Sequence, residues 1–229
     1  MKKNYKKETY KTREEWLKNR GIGGSDAATI VNASKWSTKN ELYNRLIYSK
    51  EPNKKSNSRM VEGTLAEEHI RELWALDHSS FKVLRPPKRT FWIFRRKDYP
   101  LLTCTPDGLF YIGTTDLFGL EVKDVELIKS DVKQMWESNT LPDQYYYQVL
   151  HYMVVIEDLK GVCLTAHLKY FTYDEETQKW VFDYAVDKNY WIYREDIIDH
   201  IKYLEGKEID FIENNINKRV QPKLIIKWS

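Results

Sequence analysis

Two charged residues sit inside an otherwise apolar strand pattern, Gly119-Leu-Glu121-Val-Lys123, which runs on to Val125. Strand side chains alternate between faces, so Glu121 and Lys123 point one way while Leu120 and Val122 point the other. Val125 falls on the face of the charged pair, so neither face is clean and the strand reads as partly buried on both sides. Charge on such a strand is costly unless something compensates it. A divalent cation would compensate Glu121, and a second carboxylate would complete its donor set. Asp107, in Thr103-Cys-Thr-Pro-Asp107-Gly108, ends the preceding hairpin strand and is the nearest candidate by topology. Two carboxylates, waters and a phosphate oxygen make a hard-cation site of the Mg²⁺ kind. Lys123 beside it is placed to orient or help deprotonate a water and to neutralise transition-state charge. The same residues also fit a Pro-Asp-Gly hairpin turn with a surface Glu–Lys pair, and spacing alone leaves both readings open.

The surrounding pattern calls for a mixed fold. The first third reads as helical: Thr12 with Glu15, and Thr38 with Glu41, have capping-box spacing ahead of apolar residues. Lys50 to Ser58 is a polar loop, and a longer helix is expected from Arg59 to about Leu76, with Val61, Leu65, Leu73 and Leu76 on one face. The period then changes. Phe81–Leu84, Thr90–Phe94, Leu101–Thr105, Leu109–Ile112 and Leu120–Val125 read as short strands punctuated by prolines. Helices return at Ser130–Asn139 and Pro142–Ile156, strands at Val162–Lys169 and Trp180–Tyr184, and a long final helix is expected from Lys188 to about Ile216. Helices on a mixed central sheet, an α/β or α+β domain, are the natural packing of this order. No linker divides the 229 residues, so one domain over 1–229 is expected, with the lysine-rich stretch 1–11 as a flexible basic tail.

Composition narrows the function classes. Cys104 and Cys163 are the two cysteines, too few for a disulfide framework, a four-thiolate zinc site or an iron–sulfur cluster. That usage suits a reducing cytoplasm, and no apolar run reaches membrane-span length. A net charge of +3 does not by itself demand a polyanionic partner. Arg85, Lys88, Arg89, Arg95, Arg96 and Lys97 do crowd one segment with Phe91, Trp92 and Phe94, either as a phosphate-tracking surface or as the basic outer face of a strand pair. The histidines His69, His78, His151, His167 and His200 lack metal-ligand spacing and are expected to be satisfied or exposed.

A second candidate locus is the glycine turn Gly21 to Gly24. Amides at such a turn opening a helix bind anions, Ser25 sits where the helix would start, and Arg20 adds a charge-assisted grip. The plain alternative is a helix–helix turn with Ser25 as N-cap. A nucleotide P-loop is excluded, since no Gly-Lys-Ser/Thr follows.

Pro106-Asp107 followed by Glu121-Val-Lys123 resembles the PD-(D/E)XK nuclease signature. More narrowly, the chain is similar to the lambda-type phage alkaline exonucleases, the YqaJ-like viral recombinase family. The resemblance runs in order through Arg20-Gly-Ile-Gly-Gly-Ser25-Asp-Ala, Glu62-Gly63-Thr-Leu-Ala-Glu67, Thr105-Pro-Asp107-Gly-Leu, Gly119-Leu-Glu121-Val-Lys123 and Tyr145-Tyr-Tyr-Gln148-Val-Leu-His-Tyr-Met153. It implies the restriction-endonuclease-like core and metal-dependent 5′ to 3′ exonuclease action on double-stranded DNA ends, leaving 3′ single strands for recombination. It further implies Mg²⁺ (or Mn²⁺) held by Asp107, Glu121 and the Val122 carbonyl, with Glu67 as a further metal-site or water-orienting carboxylate. Lys123 is implied next to the attacking water. Gln148 is the family's late glutamine, on an inward helix face with Tyr145, Val149 and Tyr152. Arg20 and Ser25 match the family's 5′-phosphate receptors, Thr105 its serine before Pro-Asp, and Lys129 a family arginine, though lysine lacks the fork geometry. A single-strand-annealing partner and a homotrimer are implied as well. Another PD-(D/E)XK endonuclease, structure-specific or restriction-type, and a non-catalytic DNA-binding module are the rival readings.

Overall fold

The structure, a computed structural model, describes residues 3–48, 58–138 and 140–223, and of residues 58–65 the backbone alone. The expected polar loop before Ser58, and the Val61 and Leu65 side chains of the expected helix face, lie outside the described residues. In chain order the elements are β1 (Tyr5–Tyr10), α1 (Arg13–Asn19), α2 (Gly24–Ile30), α3 (Lys39–Tyr48), α4 (Ser58–Asp77), β2 (Lys82–Leu84), β3 (Phe91–Arg96), β4 (Thr103–Cys104), β5 (Gly108–Ile112), β6 (Asp116–Leu127), α5 (Ser130–Glu137), α6 (Asp143–Val155), β7 (Gly161–Asp174), β8 (Lys179–Tyr193) and α7 (Ile198–Asp210). Both capping signatures form. Thr12 Oγ1 accepts the Glu15 N–H at 3.2 Å, and at Thr38 the box is reciprocal, with Glu41 Oε2 accepting the Thr38 N–H at 2.8 Å.

The central sheet is mixed, in the order β2-β5-β6-β7-β8, with β6 and β7 parallel and the other pairs antiparallel. Helices flank it. Leu120, Val122 and Phe110 pack with Ile70 and Trp74 of α4, while Leu164, Ala166 and Leu168 of β7 join Val149, Leu150 and Met153 of α6. A smaller antiparallel sheet, β1-β3-β4, stands apart from it.

Four expectations are corrected. The lysine-rich tail is not free: Tyr5–Tyr10 pairs with the whole of β3, because its alternation buries Tyr5 against Phe94. The final helix starts ten residues late, since Tyr190–Tyr193 continues β8, where Trp191 fills an aromatic cluster with Phe81, Phe110 and Phe118. One short turn, Arg194–Ile197, then leads into α7, and Phe211–Ile216 extends it in a wider winding. On α4 the buried face is Ile70 and Trp74, whereas Leu73 and Leu76 are exposed. Finally, Pro106-Asp107-Gly108 is no hairpin turn. It carries the chain from β4 in the small sheet to β5 in the large one, and the β5–β6 turn instead uses Gly113 at φ +65°.

The basic segment is structural in large part. Arg95 pairs with Glu8 at 3.0 Å and caps the Pro100 and Asn19 carbonyls, and Arg96 pairs with Asp98 and Glu205. Burial opposes ionisation of Glu8, but hydrogen bonds from Arg95, Lys6 and Tyr10 hold its carboxyl down at about 2. These two arginines are thus neither a phosphate-tracking surface nor a solvated outer face but largely buried ion-pair partners.

A fully buried pair joins the helices over the sheet. His151 Nδ1 of α6 meets Glu208 Oε1 of α7 at 2.6 Å, and its Nε2 meets the Thr103 carbonyl of β4 at 2.9 Å. Burial opposes charging of His151, yet the Glu208 charge and these bonds outweigh it and raise its pKa. A histidine with a raised folded pKa stabilises fully below its unfolded value of about 6.5 and loses that contribution as pH rises through the folded value. His151→Gln should therefore cost about 3–5 kcal/mol at acid-to-neutral pH, the range for stranding a buried charge. The gap to wild type should narrow as pH climbs, and denaturant titrations at several pH values measure it. A gap that widens with pH would contradict the charged pair.

Candidate active site

Strand β6 lies between β5 and β7, and both its faces are covered. Glu121, only 2% exposed, is a carboxylate on the apolar face that receives α6. Three donors compensate it. Its Oε1 accepts from Lys123 Nζ and from Gln148 Nε2 (2.5 Å), and its Oε2 accepts from the Tyr152 hydroxyl at 2.6 Å. Gln148 Nε2 also donates to the Tyr152 hydroxyl at 2.7 Å. Gln148 and Tyr152 are one helical turn apart on α6, so one helix face delivers both.

Asp107 enters from the neighbouring strand. Gly108 is opposite Leu120, and one step back along this antiparallel register Asp107 comes opposite Glu121. Asp107 Oδ2 accepts the Val122 N–H at 2.8 Å, and Arg71 of α4 donates to the Asp107 carbonyl at 3.1 Å. Burial, reinforced by the Glu121 charge, pushes the Asp107 carboxyl well above the usual carboxylate range, and Lys123 offsets this only in part. Glu67 of α4 is raised as well, first by burial; Lys123 opposes and Glu121 adds to the effect, so its carboxyl belongs to the same electrostatic neighbourhood. For Lys123, burial opposes the charge, but Glu121 and Asp107 outweigh it and hold the ammonium protonated. The Tyr145 ring lies 5.2 Å from that ammonium. Burial and then the Glu121 charge drive the Tyr152 hydroxyl far above its ordinary value, so it remains a donor.

This cluster is short of positive charge, and its oxygen donors are hard. Asp107 resists ionisation against Glu121, which is the situation a cation relieves. The residues present therefore fit an ion of the Mg²⁺ kind. Among the described residues no three His, Cys, Asp or Glu side chains converge as a ligand group, so two carboxylates and the peptide beside Glu121 carry the fit.

The expected site residues divide into two groups. Asp107, Glu121, Val122, Lys123 and Gln148 come together around β6, and Glu67 on α4 lies within electrostatic reach of them without joining a ligand group among the described residues. Arg20, Ser25, Thr105 and Lys129 do not share one hydrogen-bonded network. Arg20 stacks on Trp16, 4.7 Å from its ring, and has no acidic ion-pair partner among the described residues. Burial lowers its pKa, opposed first by the Asp26 charge. Ser25 is exposed in the first turn of α2, whose N-cap is Gly23 and not Ser25. Thr105 is half-buried, and Lys129 stands exposed at the N-cap of α5.

The glycines of the turn answer to packing. A side chain on Gly21 would begin 2.1 Å from the Leu101 carbonyl oxygen, and one on Gly24 would begin 2.8 Å from both Gln148 and Tyr152. Asp26 Oδ2 already accepts the Gly23 N–H at 2.9 Å and pairs with Arg45 at 2.6 Å. Gly24 thus lets α2 lie directly behind the two α6 side chains that bond Glu121.

Arg71, Tyr152 and the His151–Glu208 pair are the residues that sequence reasoning did not single out for this site. Arg71 carries a signal, four residues after Glu67 on the face of Ile70 and Trp74. Tyr152 shares the inward face of Gln148 but reads as core.

Comparison with known proteins identifies the family and the fold. A family model, the YqaJ-like viral recombinase domain, matches residues 15–160, from α1 to the threshold of β7. The uncharacterized protein YqaJ of Bacillus subtilis (strain 168) is 26% identical over 147 residues, covering 63% of this chain and 43% of that protein, so the chain matches less than half the length of that relative. Among solved structures, the alkaline exonuclease LHK-Exo from Laribacter hongkongensis shares the fold with a TM-score of 0.58 at 15% identity, over 90% of this chain and 95% of that one. A phage-related exonuclease from Haemophilus somnus 129PT superposes with a TM-score of 0.52 at 14% identity, over 90% and 99%. The family match spans every strand and helix that supplies the Asp107–Glu121–Lys123 cluster, and on that ground this chain belongs to the YqaJ-like viral recombinase family.

Proposed function

We propose that this chain is a divalent-cation-dependent DNA exonuclease that digests the 5′ strand of a duplex end in the 5′ to 3′ direction and leaves a 3′ single strand. The observation that carries the reading is the pair of opposed carboxylates, Asp107 and Glu121, with the Lys123 ammonium bonded to one of them. Asp107, Glu121 and the Val122 carbonyl would hold Mg²⁺, with Mn²⁺ as the alternative ion. Such an ion, when bound, polarises the scissile phosphate and acidifies a water. Lys123 is protonated, which suits it to stabilise charge on the pentavalent phosphorus and to orient the water more than to act as base. Glu67, with its raised pKa, is the better-matched proton acceptor. Gln148 and Tyr152 hold Glu121 in place.

The direction of digestion rests on Arg20 and Ser25. The Arg20 guanidinium, which has no acidic ion-pair partner among the described residues, and the exposed Ser25 hydroxyl five residues on suit a terminal 5′-phosphate, with the Thr105 hydroxyl and the Lys129 ammonium as additional contacts. A solved protein of like fold is an alkaline exonuclease, which favours this reading over a restriction-type nuclease. The family setting adds double-stranded DNA ends as substrate, a single-strand-annealing protein as partner, a homotrimer as assembly and the bacterial cytoplasm as location. Among the described residues no helix is long and apolar enough to cross a membrane.

Digestion of end-labelled linear duplex in Mg²⁺, beside the same DNA covalently closed, tests the reading. Loss of the linear substrate alone is expected; cleavage of closed circles would make the chain an endonuclease. Lys123→Ala should lower turnover by about 10²–10³-fold, as removal of one preorganised donor does, with DNA binding largely kept. An effect confined to affinity would remove Lys123 from the chemistry. On 5′-phosphorylated against 5′-hydroxyl ends, Arg20→Ala should shrink the wild-type preference by about 1.5–3 kcal/mol, the range for a hydrogen bond to a charged group. Equal wild-type rates on the two ends would sink the phosphate pocket.

Asp107 offers a test without turnover. Its carboxyl favours the folded state when protonated, so its contribution is present below the ordinary carboxylate pKa and is lost as pH rises through the raised folded value. With chelator, Asp107→Asn should therefore be more stable than wild type, by a margin that grows from acid pH upward. Adding Mg²⁺ should raise the melting temperature of wild type and leave the variant unmoved. Equal Mg²⁺ shifts in both would place the ion elsewhere.

A further inference from the structure

Trp36 stands in the loop between α2 and α3 with 78% of its surface exposed, more than any other large hydrophobic side chain among the described residues. An indole left in water forfeits the burial free energy of a large apolar surface. This one is also held in place. Its Nε1–H donates to Gln144 Oε1 on α6 at 2.7 Å. Ser34 Oγ accepts the backbone N–H groups of Trp36 (3.1 Å) and Ser37 (3.2 Å), and the Thr38–Glu41 capping box closes the loop behind it. The single polar atom of the indole is therefore occupied, and what remains for a ligand is the π face.

Its position says which ligand. Gln144 and Gln148 are neighbours on one face of α6, a single turn or about 6 Å apart along the axis. Gln144 holds the indole, and Gln148 holds Glu121. The platform thus stands on the same face of α6 as the residue that holds Glu121, offset by one helical turn plus the reach of the Gln144 side chain, which puts it within a few nucleotides of the candidate cluster. Exposed Lys35 adjoins it. An aromatic face beside a cation is how proteins hold single strands, by stacking bases while neutralising phosphates.

We propose that Trp36 is a nucleobase-stacking platform, which holds an unpaired base of the DNA strand within a few nucleotides of the scissile phosphate. The inference rests on the nuclease reading above, and it adds a subsite that grips the strand end once its base pair has opened.

Binding of a 5′-phosphorylated duplex with a short unpaired 5′ end, measured by anisotropy in Ca²⁺ or EDTA, tests it without turnover. Trp36→Ala should weaken binding about 5- to 100-fold, and Trp36→Phe should keep most of the affinity. Gln144→Ala, which frees the indole, should weaken it less. Abasic sites walked through the first four nucleotides supply the decisive control. At one position the wild type should lose affinity and the Trp36→Ala penalty should vanish, whereas elsewhere the penalty should persist. A penalty indifferent to every abasic position, or no penalty at all, overturns the platform. Loss of binding by Trp36→Phe as severe as by alanine, or a melting temperature lowered in step with affinity, assigns the indole a structural role and also overturns it. Wild-type digestion of linear duplex that survives those outcomes leaves the nuclease reading standing; wild type that neither cleaves nor binds DNA removes both.

Discussion

The buried carboxylate of Glu121 constrains the structure around it. An isolated carboxylate in a protein interior neutralises or finds partners, because desolvation costs several kcal/mol even after relaxation. Here it is 2% exposed and bonded by Lys123, Gln148 and Tyr152. Each donor dictates structure beyond itself. Lys123 fixes the alternation of β6, since a slip of one residue would turn both charges toward the aromatic face of Phe110, Phe118 and Trp74. Gln148 and Tyr152 fix the rotation of α6 about its axis. Their reach then demands a glycine at position 24, where any side chain would collide with both.

The same logic extends one layer out. With α2 pressed against α6, the turn before it runs beside the strands, so Ile22 bridges Leu102 and the Gly21 N–H bonds Thr103 Oγ1 at 3.0 Å. Thr103 hands its carbonyl to His151, and His151 is held by Glu208. A chain of polar contacts thereby ties α7 through α6 to the strand that leads into Asp107. Polar groups buried in this way favour one arrangement of helices over near alternatives, because every misplacement strands a donor or an acceptor. The glycine turn, which reads as an anion site from sequence, owes two of its glycines to this packing.

Much of this was legible in the residues, for identifiable reasons. The cluster was in part: carboxylate and ammonium two positions apart in an apolar strand call for compensation, but the choice between a cation site and a surface pair came from the family resemblance, and Gln148 was legible because its helical spacing placed an amide among apolar neighbours. The mixed sheet followed from the change of period. What escaped depends on contacts distant in sequence. The Met1–Lys11 stretch looked like a solvated tail until its Tyr5 met Phe94, and Trp191 looked helical until the aromatic cluster claimed it. Tyr152 reads as core in a tyrosine-rich helix and His151 only as a satisfied or exposed histidine, since a hydroxyl or imidazole aimed at a carboxylate on another element leaves no mark on local periodicity. On α4 the assumption that leucines face inward failed, because Ile70 and Trp74 occupy the sheet-facing stripe.

The protonation pattern of the cluster has a consequence for the conditions it tolerates. Lys123 is held charged by Glu121 and Asp107, and Tyr152 is held neutral by burial and the Glu121 charge. Gln148 does not titrate. The donors that keep Glu121 in place therefore survive a rise in pH well past neutrality, where an ordinary tyrosine or an exposed lysine would begin to lose its proton. Asp107 moves the other way: burial and Glu121 oppose its ionisation, so lower proton concentration favours the fully anionic donor set that a divalent cation needs. Alkaline conditions thus deepen the negative charge of the cluster without dismantling its scaffold. The asymmetry arises from geometry, because Asp107 faces Glu121 across two strands as a like charge while Lys123 and Tyr152 meet it as donors.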